Sequence, residues 1–127
     1  MNRFSFTAVA SAALLAVSSP AAFADAALAA SNGCTACHQL DKKVIGPAYG
    51  QVSACYAEKD AKKMAANKAA LMKHVIEGGA GVWGPIPMPA HPQLKDGAKN
   101  AELVKIIDWV MKDVKATECP KEFKRKG

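Results

Sequence analysis

Apolar residues recur with a helical period in the second half of the chain. Leu71, Met72, Val75 and Ile76 share one face of a helix that Asn67 can cap and that runs to Glu77, where Gly78 and Gly79 stop it. Leu103, Ile106, Ile107, Val110 and Val114 form a second stripe, on a helix predicted from about Asn100 to about Lys115. Trp109 flanks that stripe and Met111 borders it. Two shorter helices are predicted upstream. One is the alanine-rich stretch from Asp25 to about Asn32, ended by Gly33; the other runs from Ala48 to Glu58, after the break at Gly46-Pro47. No stretch sustains period-two alternation, so the prediction is an all-α fold.

The start of the chain has a different pattern. Asn2 and Arg3 give a short basic beginning, and Phe4 to Val17 is uncharged and apolar. Pro20 and Ala22-Phe23-Ala24 then supply a breaker and a small-x-small cleavage site. This is the pattern of a secretory signal peptide over residues 1–24, cut between Ala24 and Asp25, and it predicts export to the periplasm. The apolar run ends in Ser, Ser and Pro and would span a membrane poorly. The remaining residues, 25–127, suffice for a single domain. The whole chain holds only two Trp, two Tyr and four Phe, so its core has few large side chains and an apolar cofactor would help it fold.

Cysteine spacing supplies the chemistry. Residues 34 to 38 read CTACH, and C-x-x-C-H is the pattern of c-type haem attachment. Two thiols about one helical turn apart face the same way and can add to two vinyl groups on one haem edge. His38, directly after the second thiol, is then carried under the ring to bind iron. A zinc site would want a second C-x-x-C or paired histidines, and a thioredoxin-like pair would want a βαβ setting. An i,i+3 disulfide would leave His38 without a role. The other cysteines, Cys55 and Cys119, form an even pair in an exported chain, which predicts a disulfide pinning the C-terminal segment to the body; the alternative is two separate thiols.

Residues 83 to 92, WGPIPMPAHP, hold four prolines, with Met88 between two of them. Proline fixes its own φ and biases the preceding residue towards extended structure, so this stretch is an irregular but stiff loop. Such a loop can present a soft sulfur to iron on the face opposite His38, whereas a core methionine would normally belong to a helical face. His91, three residues on, is the rival for that position. His74 falls on the polar side of its helix and reads as a surface histidine, while Met64, Met72 and Met111 read as packing.

CTACH, IGPAYGQV, WGPIPMP and LVKIIDWVM occur in that order and at the spacing of class I cytochromes c. The chain resembles the short bacterial single-haem type that donates electrons to periplasmic oxidases and nitrite reductases. The resemblance extends over nearly all of residues 25–127. It implies helices wrapped around one haem c, with thioethers at Cys34 and Cys37 and axial ligands at His38 and Met88. It further implies that the Pro47 carbonyl accepts a hydrogen bond from the His38 ring, and that Trp83 lines the haem pocket and bonds a propionate. The chain departs from the family pattern after the ligand, where Ala90-His91 replaces a polar pair such as Pro-Asn. Cys55 and Cys119 are additions to it.

With both axial positions filled, iron can only change oxidation state, which makes the expected function electron transfer rather than catalysis. A haem-based sensor or peroxidase-like enzyme would instead need an open or displaceable sixth position. The formal charge is +6. Lys121, Lys124, Arg125 and Lys126 crowd the C-terminus, and Lys42, Lys43 and Lys95 flank the haem region. These bases suit docking to acidic patches on redox partners, an oxidase, a nitrite reductase or a membrane cytochrome complex. Without interleaved aromatic residues they do not make a nucleic-acid surface.

Overall fold

The computed structural model describes residues 20–125; most of the predicted signal peptide, and Lys126, lie outside them. Four α-helices, α1 (Pro20–Ser31), α2 (Tyr49–Tyr56), α3 (Ala61–Glu77) and α4 (Gly97–Lys112), follow in that order. Short 3₁₀ turns occupy Cys34–Ala36 and Pro92–Leu94. Extended pairing among the described residues is limited to isolated bridges, His38 with Lys43 and Gly79 with Met88.

Helix α4 is the hub and packs against each of the other three. Its stripe is buried as its period requires: Leu103, Ile106, Ile107 and Val110 are all at most 5% exposed. Trp109 and Met111 join them in the core, so the buried face is wider than the stripe alone. Trp109 meets Tyr49 of α2 edge-on, with ring centroids 5.2 Å apart. At the other end of α4, Asn32 links α1 to it by donating from Nδ2 to Glu102 Oε2 at 2.9 Å.

Several helix boundaries differ from expectation: α1 begins at Pro20 rather than Asp25, α2 ends at Tyr56 rather than Glu58, α4 begins at Gly97 rather than near Asn100, and two further ends have a visible cause. Helix α3 begins six residues before Asn67, with Asp60 as its N-cap accepting from the Lys63 amide at 2.9 Å. Asn67 is buried inside the helix and donates from Nδ2 to the Tyr56 carbonyl at 3.0 Å, tying α3 to the end of α2. Helix α4 stops at Lys112 rather than near Lys115, where the Asp113 and Val114 amides both bond to the Trp109 carbonyl. Val114 still reaches the core edge, but from the segment that follows the helix.

Candidate functional site

The 3₁₀ turn at Cys34–Ala36 follows Gly33, which takes the left-handed conformation at φ 78°. The amides of Cys37 and His38 both bond to the Cys34 carbonyl, at 3.2 and 3.0 Å. This tight turn brings Cys34, Cys37 and His38 to the wall of one cavity of about 680 Å³. Burial pushes the Cys34 thiol above its ordinary value, with the nearby Cys37 adding to the rise and a backbone hydrogen bond opposing it.

His38 is held on two sides. Its Nδ1 lies 2.8 Å from the Pro47 carbonyl oxygen, which can only accept, so a ring proton sits on Nδ1 and Nε2 is the nitrogen left to bind a ligand. Its ring stacks on Tyr49 at 5.6 Å, and Tyr49 leans in turn on Trp109. Gly46 lets the backbone pass against the imidazole: a Cβ there would clash with Cε1 and stand 2.8 Å from Nδ1.

Met88 lines the same cavity. Its amide donates to the Gly79 carbonyl at 2.8 Å, and its carbonyl accepts from the Gly79 amide at 3.0 Å. The loop is thus clamped to the end of α3 as well as stiffened by its prolines. Gly78 makes the approach possible, with φ 71° and no room for a Cβ, which would fall 2.7 Å from both the Met88 oxygen and the Ala90 nitrogen. Read along the sequence, Gly78 and Gly79 are a helix stop. Their partner lies nine or more residues away across an irregular loop, so no periodic signal could reveal the clamp.

Trp83 is half-buried on the cavity wall, as are His91 and His74. The surface reading of His74 is therefore corrected: that flank of α3 faces the cavity. His91 is fixed through its amide, which bonds to the Val75 and Ile76 carbonyls at 3.0 and 3.1 Å. Tyr49, absent from the sequence-based site, is a wall residue too, because the short α2 starts under His38. Cys55 and Cys119 are joined by a disulfide and stand apart from the cavity lining.

The cavity fits a haem on several counts. Its size is that of pockets that enclose a cofactor. Val52, Leu71, Val75, Val82 and Ile106 give it apolar walls. Two of its wall residues carry buried polar atoms without a protein partner, the Tyr49 hydroxyl and His91 Nδ1. A paired-thiol turn with an imidazole directly after it is the attachment set of a covalently held haem.

A small all-α protein with a haem-attachment turn on an apolar cavity is a c-type cytochrome in class. Residues 24–112 match the family described as Cytochrome c. The chain is similar to cytochrome c-552 of Nitrosomonas europaea, 42% identical over 69% of this chain and 77% of that protein. It is also similar to cytochrome c-551 of Pseudomonas aeruginosa, 39% identical over 63% of this chain and 67% of that one. The crystal structure of wild-type Nitrosomonas europaea cytochrome c552 superposes with a TM-score of 0.55 at 37% identity, over 68% of this chain and 96% of the other. The chain belongs to the cytochrome c family. It is an electron carrier of that family rather than an enzyme, with one covalent haem c at the Cys34–Cys37 pair.

Proposed function

We propose that His38 and Met88 fill the two axial positions of the haem, so that the protein exchanges single electrons and binds no substrate at iron. The observation that carries this reading is the Nδ1 to Pro47 bond, which frees Nε2 of His38 on a cavity whose wall also holds a doubly clamped Met88. The haem supplies the one-electron iron couple. The chain supplies fixed ligands: the Pro47 carbonyl sets tautomer and basicity of His38, while Gly79 and the flanking prolines hold Met88 against loss in either oxidation state. Trp83, also on the cavity wall, would donate its indole NH to a propionate.

Residues 1–24 act as an export signal and 25–127 as the periplasmic carrier. The family match beginning at residue 24 supports that division. Among the described residues no helix is long and apolar enough to cross a membrane. The exposed bases, with Lys43 on the cavity wall among them, suit acidic docking sites on an oxidase, a nitrite reductase or a membrane cytochrome complex.

Replacing Met88 by Ala tests the ligation. The ferric protein is expected to lose its long-wavelength sulfur-to-iron band and to turn high-spin or recruit His91, with a large change in potential. An unchanged ferric spectrum in the variant would remove Met88 from the site. A wild-type protein that is already high-spin would favour the sensor or peroxidase-like reading.

A further inference from the structure

The family match ends at residue 112, yet the chain continues in ordered contact with the body through residue 125. Ser53 Oγ donates to the Val114 carbonyl at 3.2 Å, and the Thr117 amide donates to the Gly50 carbonyl at 3.0 Å. Cys119 is bonded to Cys55. Arg125 donates from Nη2 to the Cys55 carbonyl at 2.7 Å and lies 5.2 Å over the Tyr56 ring. Helix α2 is cut to receive this segment, since a Cβ at Gly50 would stand 2.7 Å from the Thr117 methyl and 2.8 Å from the Lys115 oxygen.

The path ends at the cavity. The Lys124 amide donates to the Val82 carbonyl at 2.9 Å, which joins the segment to the strip of loop that carries Trp83. The Phe123 ring then packs on Trp83, with centroids 4.6 Å apart, and meets Tyr56 edge-on at 5.4 Å. Glu122 lines the cavity, its carboxylate 3.7 Å from the ammonium of Lys43, another lining residue. Of the rings paired with Trp83 among the described residues, Phe123 is the nearer, because Tyr56 stands 6.4 Å away.

We infer that segment 113–125 is a working wall of the haem crevice, in which Phe123 is a positioning residue acting through Trp83 and the Cys55–Cys119 bond is the anchor. The inference rests on the haem-binding reading of the cavity. Ferric haem carries one more positive charge than ferrous haem, so water admitted at the crevice favours the oxidised form. A wall that holds Trp83 in place keeps that water out and raises the potential.

The test uses the full-length, haem-loaded protein and its Phe123→Ala and Phe123→Tyr variants. Hydrogen exchange at the Trp83 indole NH, followed by NMR, reads the wall, with the buried Trp109 indole as internal control. Midpoint potential reads its effect on iron. In Phe123→Ala the Trp83 exchange is expected to quicken by about tenfold with Trp109 unchanged, the scale of a local opening. The potential is expected to fall, and Phe123→Tyr to restore both. If Phe123→Ala does not fold, Phe123→Leu, which keeps bulk without the ring, is read in the same way.

Unchanged Trp83 exchange would overturn the inference, as would faster exchange at an unchanged potential. The Cys55→Ser/Cys119→Ser double variant should move both readouts in the same direction; wild-type exchange in it would overturn the anchoring role. Failure of the haem reading shows separately, as an intact mass without haem.

Discussion

At the scale of single residues, the site depends on one close approach and one borrowed proton. The Pro47 carbonyl holds the His38 proton on Nδ1, and Gly46 leaves the gap through which ring and backbone meet. Gly46→Ala puts a methyl group into the imidazole, so ring or backbone must shift. The expected cost is about 1–3 kcal/mol, typical of overpacking, with a lowered yield of haem-loaded protein and a changed potential. Denaturation together with the ferric spectrum measures it; a variant with wild-type stability and spectrum would show that the approach is looser than the geometry states. Met88 and His38 could be picked out in the sequence because their neighbours are chemically unusual. The Gly79 clamp and the Tyr49 support could not, since each is a pairing between residues whose spacing carries no period.

At the scale of elements, helix period predicted the buried faces better than the helix ends. The first turns of α3 face solvent with Lys62 and Lys63 and show no apolar pattern, so the visible pattern begins late and Asn67 resembles a cap. Only the neighbouring Tyr56 carbonyl explains a buried asparagine there. Helices α3 and α4 are also joined by Asp108, which receives Lys68 at 2.8 Å and Lys112 at 3.2 Å. Burial pushes the Asp108 carboxyl up, but the hydrogen bonds and charges of the two lysines outweigh it and hold the group below its ordinary value.

A depressed folded value stabilises the protein above the unfolded carboxyl pKa of about 3.9 and ceases to do so as pH falls through the folded value. Asp108→Asn is therefore expected to cost about 0.5 kcal/mol at neutral pH, a small figure because the side chain is 30% exposed and screened. The difference from wild type should vanish near pH 2, about two units below the free carboxyl. Urea midpoints at the two pH values check this, and a difference that persists in acid would exclude the ion pairs as its cause.

At the scale of the whole molecule, the C-terminal segment is fastened across the body. The Cys55–Cys119 bridge closes a loop with a sequence separation of 64. Chain entropy sets its contribution at up to about 4 kcal/mol. Reduction, or the double serine variant, should lower the denaturation midpoint accordingly, and alkylation of the unreduced, denatured protein should add no label. Labelling before reduction would show the bridge is absent in solution.

The basic residues have mixed fates at this scale. Lys42, Lys95 and Lys121 are exposed, whereas Arg125 is spent on Tyr56 and the Cys55 carbonyl rather than left as a free tail charge. If the exposed lysines steer an acidic partner, the bimolecular electron-transfer rate should fall as ionic strength passes about 0.1 M. Stopped-flow oxidation at several salt concentrations measures this. A flat response would direct attention to the exposed Ile45 and Ile86 beside the cavity as an apolar docking rim.

The sequence by itself determined the all-α class, the core faces of α3 and α4, and the attachment of one haem at the Cys34–Cys37 pair. Each of these is written in local spacing: a helical period, or thiols and an imidazole within five residues. It also singled out Met88, because four prolines leave a methionine no helical face to occupy. Tertiary structure decided what faces what. It turned His74 towards the cavity, buried Asn67 and Trp109, clamped Met88 to Gly79, and laid Phe123 on Trp83. Those pairings join residues far apart in the chain, and they arise only when the helices pack and the loops between them are forced into register.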